Sequence, residues 1–154
     1  MNFLGLAKPK NVGILTLVIL MAACSSGGTS NSSGGTSKQL RFESLIELRD
    51  AYIIAGGSCS EWKQENLVSL ALESGNCNDR NVLSIYSSHE VAVEMNRSTK
   101  KFTIDLYASL KTEPPPPHIL AGDNWHINDS DIGVLNKLKE KFGGELITNW
   151  NQIP

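Results

Sequence analysis

Residues 25–37 read SSGGTSNSSGGTS, with the hexapeptide Ser25–Ser30 repeated as Ser32–Ser37. The tract holds no charge and no large apolar side chain, so it cannot bury enough surface to order itself. As a flexible tether it spans roughly 20 Å on average. It separates whatever precedes it from whatever folds after it. Before it lies Val12–Ala23, an uncharged run of 12 residues behind Lys8 and Lys10. Such a run is too short for a membrane-spanning helix, which needs about 20 residues, and suits the apolar part of an export signal. After it, residues 38–154 suffice for one domain with a modest core.

Met21-Ala22-Ala23-Cys24 closes the apolar run, and the tether begins at once. The motif resembles the lipobox of bacterial lipoproteins. The resemblance implies that 1–23 is a signal peptide and that the Cys24 thiol receives a diacylglyceryl group before cleavage. It makes 24–37 a lipidated linker and 38–154 an extracytoplasmic domain. The family usually carries Leu where this chain has Met21, a side chain of similar size and polarity. Ser25 is not the aspartate that the family associates with inner-membrane retention in double-membraned bacteria. The implied location is the extracytoplasmic face of a cell membrane, with the bilayer as partner through covalent lipid.

Charge agrees with attachment by lipid alone. The chain carries 14 basic and 16 acidic side chains; without Lys8 and Lys10, the only charges before Cys24, 12 stand against 16, or −4. No basic patch marks a nucleic-acid partner, and mild acidity does not suit an anionic bilayer surface.

With Cys24 acylated, Cys59 and Cys77 remain as an even pair. In an oxidising compartment such a pair forms a disulfide. A redox pair more often has Cys-x-x-Cys spacing, and two cysteines without a His/Cys cluster make a poor zinc site.

The folded part reads as a single α+β domain. It has about four to five short strands in a mainly antiparallel sheet, with about three helices packed on one face. Ser44-Leu45-Ile46-Glu47 has capping-box form, and Leu45, Leu48, Tyr52 and Ala55 follow at helical spacing up to Gly56-Gly57. Cys59 and Trp62 fall in the next loop. Leu67–Glu73 and Val82–Ser87 read as strands, with the polar stretch 74–81 as their turn. A second helix is expected over about 88–111, with Val91, Met95, Phe102, Leu106 and Leu110 inward. Residues 102–107 also alternate as a strand would. Pro114–Pro117 forms a rigid extended spacer. A hairpin over 118–127 turns at Gly122-Asp123-Asn124. A third helix buries Ile132, Leu135, Leu138 and Phe142, and Glu145–Asn149 is a last strand. The expected order is α-β-β-α-β-β-α-β.

Residues 55–62, the second cysteine after Ser74-Gly75, and Leu120–Trp125 resemble stretches of small actinobacterial lipoproteins. That resemblance implies the anchor and the disulfide, and it brings no activity with it.

No Gly-x-Ser-x-Gly, Walker, Gly-x-Gly-x-x-Gly or His-Glu-x-x-His pattern occurs, and no cofactor is expected. The leading expectation is a non-catalytic binding or interaction module at the cell envelope, with an envelope protein or glycan as its partner. Trp62 is its candidate ligand platform. The alternative is a small envelope enzyme acting on glycan or peptide, with acidic candidates Glu61, Glu65, Glu73 and Asp79. A weaker alternative is a metal-binding accessory lipoprotein using His118, Asp123 and His126 around the hairpin turn, with His89 and Glu90 nearby.

Overall fold

The computed structural model describes residues 39–66 and 68–154. The signal segment 1–23, Cys24 and the tether 25–37 lie outside the described residues. Helix α1 (Leu45–Ile54) starts at Ser44, whose hydroxyl accepts the Glu47 amide at 3.2 Å. The Glu47 carboxylate reaches back to the Glu43 amide at 2.9 Å, one residue beyond the usual capping box. Gly56 ends the helix at φ +104, a conformation open to glycine at little cost.

The remaining elements are β1 (Trp62–Gln64), β2 (Glu73–Cys77), β3 (Asn81–Ile85), α2 (His89–Ser109), β4 (Ile119–Ala121), β5 (Trp125–Asn128), α3 (Ile132–Phe142) and β6 (Glu145–Ile147). A 3-10 turn, Trp150–Gln152, follows. The six strands form one antiparallel sheet in the order β1-β2-β3-β5-β4-β6.

Alternation along the strands divides the sheet into two faces. Leu83, Ile85, Trp125, Ile127 and Leu120 point to the first face, where α1 and α3 cover them with Leu45, Leu48, Tyr52, Leu135, Leu138 and Phe142. Phe42 stands edge-on to both Trp125 and Phe142, with ring centroids 5.7 and 5.5 Å apart. The second face carries Ser84, His126, Ala121, Ile119 and Ile147, and α2 lies over it through Ala92 and Asn96. The helices therefore occupy both faces of the sheet, not one.

Two expectations need correction. Residues 68–72, read as part of the first strand of a hairpin, run through turn and bend instead. Residues 74–77, read as turn, form β2 together with Glu73 in the sheet interior, between β1 and β3. The tight turn narrows to Asn78 and Asp79, both at φ +56. Ser, Gly and Asn are poor strand formers, but the surroundings favour a strand here. Gly75 lies under the Trp62 indole where a Cβ would collide, and Cys77 bonds to Cys59 with Cα atoms 4.7 Å apart. Trp62, expected in a loop, sits in edge strand β1.

The inward face of α2 is also rotated from expectation by one residue, about 100°. Ala92 and Asn96 are buried, whereas Phe102, Leu106 and Leu110 are 69%, 41% and 59% exposed. The cause is the polar character of the second sheet face. Buried His126 needs a hydrogen-bonding neighbour, and Asn96 supplies it. In α3, Ile132 likewise lies outside, while Leu135, Leu138 and Phe142 are buried as expected.

Candidate ligand cavity between α2 and the β4–β6 edge

The polar pair beneath α2 opens onto a cavity of about 150 Å³. Its roof is the first half of α2, with His89, Ala92, Val93 and Asn96. Its floor is β4 and β5, with Ala121 and His126, and its far wall is Ile147 of β6 and Ile153. Gln39, Glu145 and Gln152 line it too.

Local chemistry holds each wall in place. Ser88 caps α2 by accepting the Val91 amide. The β4–β5 turn is fastened to the start of the domain. Asn124 accepts from the Phe42 amide at 3.2 Å and donates to the Phe42 carbonyl at 2.8 Å, as a paired strand residue would. Arg41 adds an ion pair to Asp123 at 2.7 Å. Gly122 lies against the Trp125 indole, where a Cβ would overlap the ring. On the far side, Gln152 accepts from the Thr148 and Asn149 amides and donates to the Leu146 carbonyl. Lys100 reaches from α2 to the Ile153 carbonyl at 2.6 Å and ties the chain after the 3-10 turn to the helix.

The cavity floor is uncharged. His126 is 3% exposed, with its Nε2 3.3 Å from Asn96 Nδ2 and the Tyr86 ring tilted against it at 4.6 Å. Burial drives the imidazole down to a pKa of about 4, and repulsion from His89 pushes the same way. At neutral pH the ring is therefore neutral. The walls Ala92, Val93, Ala121, Ile147 and Ile153 are apolar. Gln39 and Glu145 make no side-chain hydrogen bond among the described residues and lie free at the rim.

The sequence-derived candidates fall in several places. His126 lies in the cavity floor. His118 precedes β4, toward the strand end away from the turn, and Asp123 is engaged by Arg41. The hairpin spreads these three side chains apart. Among the described residues no group of three or more His, Cys, Asp or Glu side chains could hold a metal ion. Trp62 packs at the border of the core with the Arg49 guanidinium 5.5 Å above its ring. The acidic candidates are scattered. Glu73 accepts the Leu45 amide at 3.1 Å, Asp79 pairs with Lys63 at 2.8 Å, and Glu61 and Glu65 are exposed. Ser84 faces His126 across the β3–β5 pair but is fully buried.

Sequence reasoning missed Asn96, Gln39, Glu145 and Gln152. The readable signal was an asparagine in line with His89 and Ala92 at helical spacing, which the longer apolar stripe beside it outweighed. Comparison with protein-family models, curated proteins and solved structures finds no match. What the geometry defines is a single α+β domain with a small, half-enclosed cavity whose floor is uncharged.

Proposed function

We propose that this protein is a lipid-anchored binding module at the extracytoplasmic face of a cell membrane. Cys24 carries the lipid, residues 25–37 form the tether, and the cavity under α2 is the ligand site. The module is non-catalytic, and its partner is a component of the cell envelope. The binding reading is carried by one observation: a buried, neutral His126–Asn96 pair where the roof and floor of the cavity meet, beside the apolar Ala92, Val93, Ala121, Ile147 and Ile153. Apolar walls with a few convergent polar groups are the usual make-up of a ligand site. The anchoring reading rests on Met21–Cys24 with its flanking run and tether, and on the resemblance to bacterial lipoproteins. The Cys59–Cys77 disulfide suits an oxidising compartment. Among the described residues no helix is long and apolar enough to cross a membrane. A covalent lipid would then supply the attachment, and two acyl chains reach the stability that one does not.

Detergent-phase partitioning tests the anchor. The wild-type protein enters the detergent phase, and Cys24→Ser leaves it; equal partitioning of the two contradicts the reading. Cross-linking in intact envelope tests the binding half. The wild type yields a specific adduct that Val93→Phe, which fills the cavity, abolishes; an adduct indifferent to that substitution removes the cavity as the site.

A further inference from the structure

The cavity also specifies what kind of group enters it. Asn96 and His126 bond to each other once, and each has one further polar atom that makes no hydrogen bond among the described residues. If Asn96 Nδ2 donates to Nε2, the open atoms are the acceptor Asn96 Oδ1 and the donor Nδ1–H of His126. If the amide is turned the other way, the open atoms are an Nδ2–H donor and an Nδ1 acceptor. Either assignment leaves one neutral donor beside one neutral acceptor. The complement of that pair is an amide, which offers one N–H and one C=O.

Size and wall chemistry narrow the choice. A volume of about 150 Å³ takes a group up to about the size of a benzene ring, which accommodates an acetamido group. Ala92, Val93 and Ile147 form an apolar pocket for a methyl. A charged group would find no counter-charge at the floor and the Glu145 carboxylate at the rim, which disfavours anions. Gln39, Glu145 and His89 at that rim offer a donor–acceptor amide, an acceptor and an imidazole, the set that bonds sugar hydroxyls.

We propose that the cavity binds the acetamido group of an N-acetylated amino sugar. The methyl lies against Ala92, Val93 and Ile147, the amide faces Asn96 and His126, and the sugar hydroxyls reach the rim. This rests on the cavity being the ligand site, though not on the lipid anchor.

Saturation-transfer NMR on the full-length protein in detergent micelles tests it, with N-acetylglucosamine, glucosamine, glucose and N-acetylglycine methylamide as probes. Binding of N-acetylglucosamine is expected with a dissociation constant on the order of 1 mM, with the acetyl methyl the most strongly saturated group. Glucosamine and glucose should give no transfer. Asn96→Ala should weaken binding about tenfold, and Val93→Phe, made at a half-buried position, should abolish it while the far-ultraviolet spectrum stays native. Equal transfer to glucose, saturation centred on the ring protons, or binding that survives Val93→Phe overturns the proposal. So does binding of the peptide-like amide in preference to the sugar. Loss of the sugar signal with the Val93→Phe-sensitive envelope adduct retained refutes the acetamido assignment and leaves the cavity as a ligand site. Loss of both removes the site itself.

Discussion

Two buried polar residues control the behaviour of this fold at the residue scale. His126 is held neutral by burial, with a folded-state pKa of about 4 against about 6.5 unfolded. Its folded value is depressed, so the unfolded chain binds the proton first as pH falls. The stability it protects is complete above about pH 6.5 and is lost on descent to about pH 4, by about 3 kcal/mol over that window. His126→Gln should flatten that part of the pH–stability profile measured by urea unfolding; an unchanged slope would show that His126 is not the titrating group. On the other sheet face, the Tyr52 hydroxyl donates to Asp129 at 2.5 Å and accepts from Asn81 at 3.0 Å. Burial, with the Asp129 carboxylate adding to it, holds the phenol far above its ordinary pKa. Tyr52→Phe strands a buried carboxylate oxygen and should cost about 1–3 kcal/mol in the same assay. A loss within error of zero would mean that the bond contributes nothing. Tyr52 was legible as an inward residue from its spacing with Leu45 and Leu48. Its polar partners were not, because they lie 29 and 77 positions away in sequence.

The helices show where pattern reading works and where it stops. In α1 and α3 the apolar periodicity pointed at an apolar sheet face, and the residues named for it are buried, Ile132 excepted. In α2 the most apolar stripe is not the packed one. A helix over the polar second face must present residues that satisfy His126 and fit close to the sheet, so Asn96 and Ala92 face in. Phe102→Ser should therefore shift stability by no more than about 0.5 kcal/mol. Ala92→Leu, adding bulk where α2 meets the sheet, should cost about 1–3 kcal/mol. The reverse ranking in thermal unfolding would restore the Met95–Leu110 stripe as the buried face. The same logic explains β2. Its Ser, Gly and Asn argue for a turn when read alone. Pairing to β1 and β3, the close approach of Trp62 and the bond from Cys77 make them a strand. None of those three causes is local.

The α+β class was readable over the whole domain, and so was the order of elements, short of strand β1, the position of β2 and the placement of α2 on the second face. The disulfide was readable once Cys24 was set aside, because only one pairing then remained. Cys59–Cys77 ties edge strand β1 to β2 through the loop that leads into it. Removing it with Cys59→Ala/Cys77→Ala should cost about 3 kcal/mol by the chain-entropy account, seen as a lower urea midpoint. An unchanged midpoint would mean that the loop is equally restrained without the bond. The cavity was not readable, since its walls come from Gln39, α2, the β4–β5 hairpin, β6 and the C-terminal turn, and only the fold brings them together. The anchor is the opposite case: it is written in consecutive residues, Met21 to Cys24. Intact-mass spectrometry of the protein extracted by detergent from the membranes of cells expressing the full chain tests it most directly. The account predicts a chain that begins at Cys24 and carries the added mass of a diacylglyceryl group. A chain that retains residues 1–23, or that begins elsewhere without lipid, would contradict it.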